Sequence, residues 1–131
     1  MELVTSQHFS GLNKRAKFEI CNGTGSAGTP KWIVSILDSF DGLGIDFRDA
    51  SDRHDCGYYF AKSAYQKIMQ DFVFLLNMII ISTNACLVLP LANTVGNVLF
   101  LPFRTMRALL YFLAVFLFGW FAWHPKMGHR V

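Results

Sequence analysis

Between Phe72 and Trp123 the chain carries only two charged side chains, Arg104 and Arg107. All nine acidic residues lie in residues 1–71, together with eight of the twelve basic ones. A charge pattern this lopsided constrains the fold more than any average does. A polar, charge-bearing region, residues 1–83, is followed by a hydrophobic one, residues 84–131.

Residues 103–123, FRTMRALLYFLAVFLFGWFAW, form the clearest membrane segment. About 20 helical residues cross a hydrocarbon core of ~30 Å. Arg104 and Arg107 stand in the opening turns, where long basic side chains can reach back to headgroups. Trp120 and Trp123 stand at the other end, where indoles favour the interface. His124-Pro125-Lys126 is expected to end the helix. Residues 85–102 are also uncharged, but Pro90, Asn93, Gly96 and Asn97 interrupt them. A broken or re-entrant element is expected there.

After Asp71 no acid follows, while Arg104, Arg107, Lys126 and Arg130 remain. Basic residues beside apolar segments suit anionic lipid headgroups. A phospholipid membrane is therefore the expected partner and location. The formal charge of +3 is too small for a nucleic-acid binder, and no basic stripe with interleaved aromatics accompanies it. Cys21, Cys56 and Cys86 are too few for a disulfide framework. They also lack the C-x-x-C spacing of a zinc site. The opening residues, MELVTSQHFSGLNKR, show no basic stretch followed by an apolar run, so no secretory signal peptide is expected.

Within the polar region, residues 3–18 read as a short, weakly amphipathic helix that Gly11 weakens. Residues 21–30, CNGTGSAGTP, read as a loop. Residues 31–37 read as one strand or one helical turn, and residues 38–49 as a second loop rich in Asp and Gly. A helix is expected from about Ala50 through Lys62, capped by Ser51 or Asp52. A second follows from about Tyr65 to Thr83, with Ser63 as the break.

The segment DFRDASDRHDCGYYF, residues 46–60, carries the chemistry. His54 and Asp55 are neighbours on a helix and so point about 100° apart. One can face a cleft while the other faces a different ligand. Tyr58 shares the His54 face, four residues on. If the next helix packs antiparallel, Asp71 can reach the His54 ring. A carboxylate on one imidazole nitrogen leaves the other as a general base. Upstream, Gly23 and Gly25 permit a turn that aims peptide carbonyls at one point. Carbonyls with one carboxylate make a hard-oxygen calcium site.

The order of these pieces resembles the phospholipase A2 superfamily, its bacterial-type and related small members in particular. A-S-D-R-H-D-C-G-Y, Ala50–Tyr58, resembles that family's active-site helix. C-N-G-T-G, residues 21–25, resembles its calcium loop. The run from Asp71 to Met78 resembles its second active-site helix, where an Asp is followed by Phe three positions on and Met seven on. The likeness covers about residues 21–79. It implies that His54 activates the water attacking the sn-2 ester, that Asp71 holds the His54 ring and that Tyr58 hydrogen-bonds Asp71. It also implies Ca2+ as cofactor, held by Asp55 and by backbone carbonyls near Cys21, Gly23 and Gly25. Ser51 stands where the family has Cys, so the bridge from helix to calcium loop is missing. Gly57 stands at a position that is often Cys. The insertion at 26–49 fits the family pattern poorly.

The expected fold is thus all-α: a phospholipase A2-like antiparallel helix pair with a calcium loop, plus one or more C-terminal hydrophobic membrane helices. The expected function is Ca2+-dependent hydrolysis of phospholipids. The alternative is a non-catalytic, membrane-embedded structural subunit that retains the phospholipase-like helices. It would bury its apolar surface against other subunits of a larger assembly, because residues 72–123 exceed what one small domain can hide.

Overall fold

The computed structural model describes residues 1–5, 7–20, 31–32, 35, 46–88 and 91–127. Every regular element among them is a helix. Two short helices, α1 (Gln7–Gly11) and α2 (Lys14–Ile20), precede three longer ones. These are α3 (Arg48–Phe60), α4 (Ala64–Val88) and α5 (Leu91–Met127). The single helix expected over residues 3–18 is divided at Leu12 and Asn13. The Asn13 side chain accepts from the Ala16 amide at 2.8 Å and so starts α2 afresh. Lys31, Trp32 and Ser35 have helical backbone.

α3 begins earlier than the expected cap at Ser51 or Asp52. Asp46 takes the Arg48 amide at 2.8 Å, and Phe47 is buried against Tyr111. That contact anchors the first turn and leaves Ser51 inside the helix on its buried face. α3 stops at Phe60, where Ala61 turns extended. The break then comes at Ser63, as the sequence suggests. Ser63 Oγ accepts from the Gln66 amide at 3.2 Å, and Gln66 Oε1 accepts from the Lys62 amide at 2.7 Å. Ser63 thus satisfies an amide that the start of α4 would leave unpaired, and Gln66 satisfies the amide of Lys62 just before the helix.

α4 runs on to Val88, past the end expected near Thr83. α5 is continuous from Leu91 and takes in Asn93, Gly96, Asn97 and Pro102. The segment 85–102 is thus broken as expected, shared between the end of α4 at Val88 and the start of α5 at Leu91, while α5 runs unbroken from Leu91 onward. A proline removes one helical amide and crowds one carbonyl, which bends or weakens a helix without having to end it. For the same reason α5 passes His124-Pro125 and reaches Met127.

α4 and α5 pack antiparallel, and α3 lies lengthwise in the groove between them. Phe47, Ala50, Phe74, Met78, Ala108, Tyr111 and Ala114 form the shared core. At the other end of the groove Tyr58 and Ala61 meet Trp123. The N-terminal residues lie along α4. Val4 exchanges two hydrogen bonds with the buried Asn77 amide, at 2.7 and 2.9 Å. Met1 does the same with Asn84, two turns on, at 3.1 and 2.8 Å.

Two helical segments, Ala64–Cys86 and Val98–Phe121, are long and apolar enough to cross a membrane. Only about a third of the first and less of the second is buried, at 33 % and 28 %. Core helices of a soluble domain would be mostly covered. Arg104 and Arg107 do not reach outward as expected, being only 4 % and 3 % exposed. Arg107 stacks its guanidinium over the rings of Phe47 and Tyr111, at 4.8 and 5.4 Å, where their π-faces attract the cation. Trp123, expected at an interface, is buried and donates to the Ala61 carbonyl at 3.1 Å. It takes up a carbonyl at the end of α3 and ties that end to α5.

Candidate functional site

His54 and Tyr58 point from α3 toward α4 because they share one helical face. Asp71 meets them from α4. His54 Nε2 lies 3.0 Å from Asp71 Oδ1. The Tyr58 hydroxyl donates to the same oxygen at 2.5 Å. Three residues that the sequence suggested as a unit are thus brought together, across the antiparallel pair that the proximity required. Asp71 is fully buried, Tyr58 nearly so and His54 5 % exposed.

Asp71 can only accept when ionised, so the hydrogen-bonded His54 tautomer carries its proton on Nε2. Nδ1 keeps its lone pair and makes no hydrogen bond among the described residues. The ring is held on both sides, with its centroid 4.1 Å from that of Tyr58 and 4.6 Å from that of Phe74.

Lys67 is the participant that the sequence reading missed. Its side chain is fully buried, and Nζ meets Asp71 Oδ2 at 2.7 Å. Nζ also donates to the carbonyls of Val115 and Phe116, each at 3.3 Å. An ammonium has three protons, and here each has an acceptor. The Trp120 ring lies 4.5 Å from the same nitrogen. Lys67 therefore balances the charge of Asp71 and ties both to α5. A signal was present: Lys67 and Asp71 form an i,i+4 pair on a helix with no other charge.

Gly119 was missed as well. A Cβ there would run into the Tyr58 hydroxyl. Only a residue without one lets α5 approach closely enough for Tyr58 to stay on Asp71. Gly57 similarly leaves room for the Gln70 side chain.

Burial pushes the Tyr58 phenol above its ordinary range. The charge of Asp71, the hydrogen bond to it and the charge of Asp55 push the same way. Tyr58 is therefore a hydrogen-bond donor at neutral pH. Asp55, next to His54 on α3, is half-buried. The remaining expected calcium ligands, Cys21, Gly23 and Gly25, lie outside the described residues. Among the described residues no cluster of three His, Cys, Asp or Glu side chains forms a metal site. A site built from one carboxylate and several peptide carbonyls would contain no such cluster.

Chemically, the arrangement offers an imidazole oriented by a buried carboxylate whose charge a buried ammonium balances. Such an imidazole can take a proton on Nδ1 while its ring stays fixed. Comparison with family models, with curated proteins and with solved structures finds no match to this chain.

Proposed function

We propose that this protein is a Ca2+-dependent, phospholipase A2-like hydrolase acting on the sn-2 ester of membrane phospholipids. The observation that carries this reading is the 3.0 Å contact between His54 Nε2 and Asp71 Oδ1, made from adjacent helices. His54 Nδ1 takes a proton from water as the water oxygen attacks the ester carbonyl. The same proton then passes to the departing glycerol oxygen, leaving a free fatty acid and a lysophospholipid. Oriented general-base catalysis of this kind contributes about 10²- to 10⁴-fold. Asp71 holds the ring and favours the imidazolium that forms. Tyr58 and Lys67 hold Asp71.

The donor set fits calcium in kind. Asp55 would supply a carboxylate and the peptide carbonyls at Cys21, Gly23 and Gly25, which lie outside the described residues, would supply further hard oxygens. Bound there, Ca2+ would act as a Lewis acid toward the developing oxyanion.

A second reading is favoured by the completeness of the Lys67 cage. A carboxylate and an ammonium that satisfy each other between three helices also serve to hold those helices together. On that reading the chain is a non-catalytic membrane subunit of a larger assembly.

Fatty-acid release from phospholipid vesicles, with Ca2+ or with chelator, separates the two. The hydrolase releases fatty acid only with Ca2+. His54→Gln lowers the rate at least a hundredfold, and Asp71→Asn lowers the rate more than it lowers vesicle binding. No release by the parent protein with Ca2+ would favour the structural reading, and equal release by His54→Gln would overturn the role given to His54.

A further inference from the structure

We infer that α4 and α5 do not cross the bilayer but lie along it, seating one apolar face in a single leaflet. The inference rests on where the charges sit and is independent of hydrolysis. α3 is the first observation. Its inner residues Phe47 and Ala50 pack on Phe74, Met78, Ala108 and Tyr111. Those four stand near the middle of the two apolar segments, Ala64–Cys86 and Val98–Phe121. The outer face of α3 at the same level carries Arg48 and Asp49, both exposed, with Asp52 and Arg53 half-exposed beside them. Asp49 and Arg53 pair on that outer face at 3.1 Å. If both helices crossed a bilayer of ~30 Å, this charged face would stand at its mid-plane, where ionisable groups are most costly.

The N-terminal residues are the second observation. Met1–Thr5 are not helical, and they lie against α4 from Asn77 to Asn84. Met1 brings its amino terminus and Glu2 its exposed carboxylate. Lipid-facing backbone outside a helix or a closed barrel is not tolerated at that depth, because hydrocarbon offers its peptide groups no partner.

The side that α3 leaves uncovered is of the opposite character. Phe72, Leu76 and Ile79 are exposed along α4, and Leu113, Leu117 and Phe121 along α5. They recur every three or four residues and so form one stripe on each helix. Phe72 joins the two stripes through Phe112, with ring centroids 5.2 Å apart. The exposed part of α5 from Val98 to Phe121 carries no charge, because Arg104 and Arg107 are turned inward. A water-facing side of charges opposite a continuous apolar side matches the boundary between headgroups and acyl chains, where in-plane helices sink about 5–10 Å.

The test is polarised infrared spectroscopy of the full chain in supported phosphatidylcholine–phosphatidylglycerol bilayers. α3, α4 and α5 run nearly parallel or antiparallel, so their amide dichroism adds. The expected result is a mean helix axis close to the bilayer plane. An axis close to the bilayer normal would overturn the inference. Flotation with vesicles of the same composition is the second measurement. Leu117→Asp, and separately Leu76→Asp, should each weaken binding at least tenfold with unchanged helical circular dichroism. Unchanged binding by both, or a parent protein that dimerises and ignores vesicles, would instead assign the stripe to another occupant.

Discussion

Gly119→Ala provides the sharpest check on the geometry around Asp71. In an unobstructed helix interior this replacement stabilises by about 0.5–1 kcal/mol, because alanine loses less backbone entropy than glycine. Here the added methyl would collide with the Tyr58 hydroxyl. Tyr58 must move, and its hydrogen bond to the buried Asp71 goes with it. A hydrogen bond to a charged group is worth roughly 1.5–3 kcal/mol. The net expectation in the parent background is a loss of about 1–2 kcal/mol. In a Tyr58→Phe background the colliding atom is already gone. The methyl then meets only ring atoms, the nearest at 3.1 and 3.2 Å. A shift of a few tenths of an ångström relieves that contact, so the same replacement becomes neutral or stabilising. The coupling between the two changes is thus about 2 kcal/mol. The assay is a double-mutant cycle by urea or thermal unfolding in one fixed lipid or detergent medium, followed by circular dichroism. Equal effects of Gly119→Ala in both backgrounds would refute the close approach of α5 to Tyr58 and, with it, the way Asp71 is held.

Lys67→Met removes the ammonium but keeps most of the volume. It leaves Asp71 facing a carbonyl-lined pocket without its cation, and should destabilise by roughly 3–5 kcal/mol. Lys67→Met combined with Asp71→Asn should recover a substantial part of that loss, measured by the same unfolding assay. Tyr58 predicts an alkaline limit. Its folded-state pKa lies above the ordinary value of about 10, so its contribution is complete below that pH and is lost as pH rises beyond it. Stability should therefore fall above about pH 10, less steeply in Tyr58→Phe. Ultraviolet titration should show one phenolate that appears only with unfolding.

Much of the scaffold was legible locally. Ser63 announces the break between two helices, since a cap is a contact between near neighbours. The apolar length after Asp71 announces long helices, since a helix without charges needs a greasy surrounding. His54 and Tyr58 share a face because 3.6 residues make a turn, and Asp71 completes the set once antiparallel packing is granted. Local rules also misled. His124-Pro125 argues for a helix end, yet α5 passes through it to Met127, because a proline removes one rung of the ladder without having to end the helix.

Chain chemistry alone decided that this protein is helical and apolar over its second half, and that it carries a histidine, a tyrosine and an aspartate at spacings that allow them to meet. It did not decide what Asp71 holds on its other side, nor which way the arginines turn. Those answers came from α5. Its residues 115–120 reach Lys67 from about fifty positions away, and its Gly119 admits Tyr58. Hydrogen bonds and close contacts between distant residues depend on interhelical approach, and spacing along one helix does not encode that distance. The same holds for the membrane geometry. Hydropathy reports how apolar a helix is, but only the packing of α3 along α4 and α5 shows that one side of them is charged.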